Sequence, residues 1–278
     1  MRFNLTILLF LCVFGLSGFA QDSPEQSQDN PKPTSVVGRE GETVIKQFVS
    51  PPFEDLSEDR KLFIYYLSQA IEASNDIIWM QASRKGLEIR EFLQELWKHR
   101  DDFEPKQVEA LEFYLVKLYS NHGNYDFFAN ERIPVPEELK ASGIANMITA
   151  IKALGGEEKD GLFAELDALT PYLYDDSLYP KFVVGDESKE LDLVADTATN
   201  FYGEGVTLAM MDALPTPLRN DFLNKPVLAD EGTKQRGNEV VETPEGLIEI
   251  RKPRIGDLYS DQLSLVDHYL EKAREFAN

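Results

Sequence analysis

Apolar residues recur along this chain with two periods, and the period changes near the middle. From Ser57 onward the spacing is helical. Ser57 is a good N-cap, followed by Glu58 and Asp59 in a first turn that favours negative charge, and Leu62, Tyr65, Tyr66, Gln69 and Ala70 then fall near one face. Asp76 reads as the cap of a long segment carrying Ile77, Ile78, Ile89, Phe92, Leu93, Leu96 and Trp97, the later part at the i, i+3, i+4, i+7 spacing of an amphipathic helix. Pro105 suits a first helical turn, with Val108, Leu111, Leu115 and Leu118 in phase behind it and Gly123 as a stop. Two further helices are predicted over 137–153 and 159–173, separated by Gly155-Gly156.

After Pro180 the pattern becomes extended. Phe182-Val183-Val184, Leu191 to Val194 and Thr197 to Tyr202 read as short strands. Glu239–Glu242 and Leu247–Ile250 flank Thr243-Pro244-Glu245-Gly246, which reads as a β-hairpin. Leu263, Val266, Tyr269, Leu270 and Ala273 return to helical spacing behind Ser260, a second N-cap. Near the other end, Val44 to Val49 is a strand stopped by Pro51-Pro52. Helices followed by short strands define an α+β arrangement, helix-rich in its first half.

Residues 1–20 do not fit that pattern. Arg2 is the only charge ahead of an apolar run from Leu5 to Phe19, and small residues, Gly18 and Ala20, stand at −3 and −1 of a cleavage point before Gln21. This is the form of a secretory signal peptide, slightly short for a membrane span. Residues 21–43 are rich in Gln, Ser, Pro, Asp and Gly and read as a disordered linker. The only cysteine, Cys12, lies in the signal segment, so cleavage leaves a thiol-free chain suited to an oxidising compartment. The expected location is periplasmic or secreted, with no membrane attachment after cleavage.

The chain has 278 residues, 28 Lys+Arg against 49 Asp+Glu, and a net charge of −21. That balance argues against nucleic acid and against an anionic membrane surface, since both need clustered cations. The three histidines, His99, His122 and His268, form no H-E-x-x-H and share no helical turn, so no local metal motif exists. G-x-S-x-G and P-loop motifs are absent, and Gly203-Glu204-Gly205 lacks the third glycine of a dinucleotide fingerprint. No catalytic residue or metal ligand is assigned. One stretch concentrates recognition chemistry: Tyr119-Ser120-Asn121-His122-Gly123-Asn124-Tyr125-Asp126-Phe127-Phe128. Asn amides pair with peptide backbone as donor and acceptor, and flat aromatics wall a ligand. The same residues also read as a helix C-cap followed by a buried aromatic anchor.

Several segments, in order, resemble the family of dipeptidyl peptidase III, zinc exopeptidases that remove dipeptides from peptide N-termini. They are Phe53 to Ser57, Tyr65 to Ala70, Asp76 to Trp79, Tyr119 to Tyr125 with Phe128 and Pro134, Asn200-Phe201-Tyr202, and Tyr269 to Ala273. The resemblance spans residues 44–278 and covers only the N-terminal portion of that family. It implies a substrate-binding lobe with short strands of a small β-barrel among helices, incomplete relative to the full two-lobed fold. The family's zinc, held by H-E-x-x-x-H and a downstream glutamate, belongs to a region not represented here, so the chain is expected to be inactive alone.

Carried over by position, the resemblance makes Asn121, Gly123, Asn124, Tyr125 and Phe128 a wall of the peptide cleft. Phe127 departs from a position that is often small and polar, and Ala129 and Asn130 replace a Gly-Asp type continuation. His122 stands where the family varies and is given no metal role. The expected partners are short peptides, bound by a monomer. The alternative is a non-enzymatic extracytoplasmic peptide-binding module.

Overall fold

A computed structural model describes residues 34–40, 43–48, 51–185, 188–221 and 223–277. Residues 1–20, expected to form a signal segment, and residues 21–33 and 41–42 of the expected linker lie outside these. The chain divides into two compact units, Met1–Glu58 and Asp59–Asn278. In the first, β1 (Thr34–Glu40) pairs antiparallel with β2 (Thr43–Phe48), with a register shift between Val36 and Gly38. The strand expected at Val44–Val49 is thus β2. Its partner β1 lies inside the stretch that composition assigned to a linker.

The second unit begins with helices α1 (Glu58–Ala82), α2 (Gly86–Lys98), α3 (Pro105–Asn121), α4 (Ala141–Ala150) and α5 (Gly156–Tyr174). The single long helix expected from Asp76 through Trp97 is two helices instead. Asp76 is interior to α1, and the chain turns at Ser83–Lys85, where Lys85 is left-handed with φ 62°. Gly86 is required next, because a Cβ there would lie 2.4 Å from Ser83 Oγ. Across the turn Arg90 Nη2 donates to Asp76 Oδ1 at 2.8 Å. Between α3 and α4, a 3-10 turn at Glu137–Leu139 replaces the first turn expected of the helix at 137.

The apolar faces read from the sequence meet in one core. Trp79, Phe92, Leu96, Leu111, Leu118, Ile144 and Ile148 are all at most 1% exposed. Each such side chain contributes roughly 1.5–3 kcal/mol by leaving water. By contrast, α1 buries only Ala70, Trp79 and Ala82 along its whole length.

A short hairpin, β3 (Tyr125–Asp126) with β4 (Glu131–Arg132), follows α3. Beyond α5 come α6 (Leu208–Ala213), α7 (Thr216–Arg219), β5 (Lys225–Leu228), α8 (Thr233–Arg236), β6 (Glu239–Thr243), β7 (Gly246–Arg251) and α9 (Ser260–Arg274). The expected hairpin is β6–β7, in register from Glu239↔Ile250 to Thr243↔Gly246. β5 joins the other side of β7, giving the antiparallel order β5-β7-β6. Pro226 is tolerated in β5 because that strand is an edge. A second, smaller core of Val206, Met210, Met211, Leu214, Ile248 and Ile250 packs on this sheet.

The α+β class therefore holds. The described strands form two-, two- and three-stranded sheets, and the largest is open at β5 and β6. The extended runs at 182–184, 191–194 and 197–202 form no strands. Thr197 makes a single bridge to Lys181, just ahead of the first run, and Asp192 Oδ1 draws in the N–H groups of Val194 and Ala195 at 2.8 Å. A side chain that captures local N–H groups in this way competes with strand pairing. Among the described residues no helix is long and apolar enough to cross a membrane.

Candidate functional site

The loop after α3 is built as a pinned hairpin. α3 ends on His122, left-handed at φ 51°. Asn121 spans the exit: its Nδ2 donates to Lys117 O at 3.0 Å and its Oδ1 accepts from Phe127 N at 3.3 Å. Gly123 follows where no side chain fits, since a Cβ there would lie 2.5 Å from Ser83 Oγ. Asn124 donates from Nδ2 to Tyr172 O at 3.0 Å, while its Oδ1 is buried without a partner. Tyr125 donates its hydroxyl to Tyr179 O at 2.7 Å and accepts from Arg132 Nη2 at 3.0 Å. Burial raises the Tyr125 pKa, with Arg132 opposing, so the phenol stays protonated at neutral pH.

The turn of the hairpin is set by Asp126, whose Oδ1 accepts from Phe128 N at 2.8 Å and Ala129 N at 2.9 Å. Asn130 then adopts φ 57°, a left-handed conformation that Asn tolerates better than most residues. Its amide grips the Val183 backbone both ways, Oδ1 to Val183 N at 2.8 Å and Nδ2 to Val183 O at 3.0 Å.

Four of the five residues singled out in sequence are thereby interior. Asn121, Gly123, Asn124 and Tyr125 are buried and hold the loop. Phe128 alone is presented to solvent, 100% exposed at the hairpin tip. The helix cap with an anchored tyrosine is thus present, and the asparagine amides expected to face a peptide are turned inward onto backbone, leaving Phe128 as the one of the five that faces solvent.

Phe127 turns the other way and packs edge-on to Phe182, ring centroids 4.8 Å apart. The two rings border an apolar groove of about 480 Å³, whose other walls include Ile78, Val183, Leu193 and Phe201. Ile78, Phe127, Val183 and Phe201 are each more than 40% exposed. Sequence reading missed these walls because they come from α1, the hairpin and two irregular segments. The only local signal was the crowding of aromatics at 182 and 201–202.

Polar chemistry at the hairpin tip is consumed in holding it, since Asp126 is committed to backbone N–H groups. The geometry fits apolar recognition. Among the described residues no group of three His, Cys, Asp or Glu side chains converges as a metal site. His122 packs against Trp79, and burial followed by the nearby Arg90 lowers its pKa. His99 faces Glu95, and His268 packs edge-on against Tyr269 in α9. A comparison with known protein families finds none that the chain matches, and no curated protein matches it.

Proposed function

We propose that the chain acts as the substrate-binding lobe of a secreted or periplasmic dipeptidyl peptidase III-like zinc peptidase, with short peptides as its ligands. The observation that carries this reading is Phe128, fully exposed on a hairpin braced by Asn121, Asp126 and Asn130, next in sequence to a wall of an apolar groove. A rigid loop that keeps an aromatic in water gains about 1.5–3 kcal/mol when a ligand covers that ring. The groove takes an apolar peptide side chain, and Phe128, next to its wall residue Phe127, offers a second apolar contact. The ordered resemblance of residues 53–273 to the family adds to this.

The exposed apolar residues of α1 and α9 also support the reading. Leu62, Tyr65 and Ile71 on α1 and Leu265 and Leu270 on α9 are all at least 39% exposed. These are faces that a second lobe would cover. In this reading the zinc and the hydrolytic step belong to the other lobe, and no hydrolytic step is assigned to these residues. The finer expectation, that the strands belong to a small β-barrel, rests on the resemblance and needs strands beyond those described.

The test is binding of short apolar peptides to the purified chain by fluorescence anisotropy, beside a dipeptidyl-naphthylamide assay with zinc. The expected result is saturable binding, lost in Phe128→Ala, without hydrolysis. Chelator-sensitive hydrolysis by the isolated chain would overturn the absence of catalysis. No binding would overturn the reading. If the gene encodes no zinc motif downstream, peptide binding makes the chain a stand-alone module instead.

A further inference from the structure

A second cleft, of about 360 Å³, opens at the start of α2 and is chemically unlike the apolar groove. It is lined by Ser83, Arg84 and Lys85 before the helix, by Glu88 in its first turn, and by Asn200 and Glu204 opposite. The first turn of α2 has no side-chain cap. Gly86 N–H donates to Ser83 O at 3.1 Å and Ile89 N–H to Lys85 O at 2.9 Å, but the N–H groups of Leu87 and Glu88 have no acceptor among the described residues. A helix start with free N–H groups favours an anion.

One buried side chain at the cleft carries an unmatched charge. Arg84 is 7% exposed, its guanidinium lying over the Tyr179 ring at 4.7 Å with Nε 3.5 Å from Thr197 O. No carboxylate among the described residues lies within ion-pair distance of it, although acids far outnumber bases in this chain. Burying a cation unpaired is expensive unless something else supplies the counter-charge.

Behind Asn200 the imbalance continues. Lys225 Nζ donates to Asn200 Oδ1 at 2.7 Å, and Asn200 Nδ2 is spent on Met80 O at 2.8 Å. Burial, then Arg84 and Arg251, push the Lys225 pKa down to about 8. Of the two acids at the cleft, Glu88 is paired with Lys85 at 3.0 Å. Glu204 is exposed on the rim and is the one charge that opposes an anion.

We propose that this cleft binds a small oxyanion, a carboxylate or phosphate group, held by Arg84 and the free N–H groups at the start of α2. The guanidinium, held over the Tyr179 ring and by Thr197 O at Nε, has two terminal nitrogens whose fork matches two oxygens. The aligned helix dipole and the Lys225 ammonium behind Asn200 add positive potential.

Titration calorimetry of the full chain with inorganic phosphate and with succinate tests this and separates the two sources of the anion. Saturable one-to-one binding of either is expected. Glu204→Gln removes the opposing charge and should tighten binding about two- to fivefold, the scale of one exposed charge. Arg84→Gln, if circular dichroism finds it folded, should abolish binding; if it does not fold, the Glu204→Gln result decides. Absence of saturable binding to both anions, or unchanged affinity in either folded variant, overturns the proposal. Phe128→Ala should leave anion affinity unchanged, so this result stands apart from the peptide reading.

Discussion

The two cores of the larger unit are stabilised by different means. The helical core, from α1 to α5, is almost entirely apolar: Trp79, Phe92, Leu96, Leu111 and Leu118 interlock with little polar content. The sheet core is smaller, and on the opposite face of β7 from Ile248 and Ile250 the side chain of Glu249 is fully buried. Arg236 reaches Glu249 Oε1 through Nε at 2.8 Å, and Asn238 donates to the same oxygen at 2.8 Å. Asn238 also donates to Asp257, which takes Arg251 Nε at 2.8 Å and Lys252 N at 2.9 Å. Burial opposes ionisation of Asp257, but these donors outweigh it and its pKa falls. Long helices offer faces wide enough to close on one another. Strands of four to six residues with irregular connections do not, and a hydrogen-bonded ion network ties their loops together instead.

The sharpest way to break this comparison is one substitution in each core. Arg236→Met leaves Glu249 buried without its cation and should cost about 3–5 kcal/mol in urea unfolding. Phe92→Ala opens a cavity in the helical core and should cost a similar amount, about 3–5 kcal/mol. Acid separates the two. Arg236, with Asn238 and Thr233 assisting, holds the Glu249 carboxyl below its ordinary 4.5 to about 2. A depressed carboxylate pKa gives stability that is present above 4.5 and lost as pH falls toward 2. Lowering the pH from about 7 to about 3 should therefore shrink the penalty of Arg236→Met and leave that of Phe92→Ala nearly unchanged. Equal pH dependence of both penalties would remove the distinction between the cores.

Smaller effects sharpen the contrast at the loop that borders the helical core. Gly123→Ala drives a methyl against Ser83 Oγ and should cost about 1–3 kcal/mol, as overpacking does. Ser83→Ala removes the clashing, unpartnered hydroxyl, so the double variant should recover about 1 kcal/mol relative to additivity. Additive losses in thermal unfolding would mean that the two sites do not touch. Smallest of all, Phe128→Ala should change stability by less than about 0.5 kcal/mol while removing peptide binding, because the ring touches solvent and not the core.

Elements stabilised within their own span were legible in advance. α3 begins at Pro105 as its spacing predicts, and β6–β7 turn at Pro244-Glu245. The α1–α2 break was not legible, because it depends on Ser83, Gly86 and Gly123 meeting, and Gly123 is far away in sequence. Nor were the false strands at 182–202, where β-branched residues found Asp192 and Asn130 in place of a neighbouring strand. The loop at 121–128 stood out by composition, but its division into inward and outward residues did not. Asp126 and Asn130 set that division through hydrogen bonds that periodicity does not register.

The sequence by itself determined the α+β class, most helix positions and the β6–β7 hairpin. Those properties follow from repeat period and from residues near in the chain. Only the tertiary structure decided that Phe128 faces water while Asn121, Asn124 and Tyr125 face inward. It also decided that Arg84 is buried without a carboxylate and that Glu249 is buried against Arg236, Asn238 and Thr233. Each of these depends on which distant segment fills the space beside a side chain, and no local pattern encodes that neighbour.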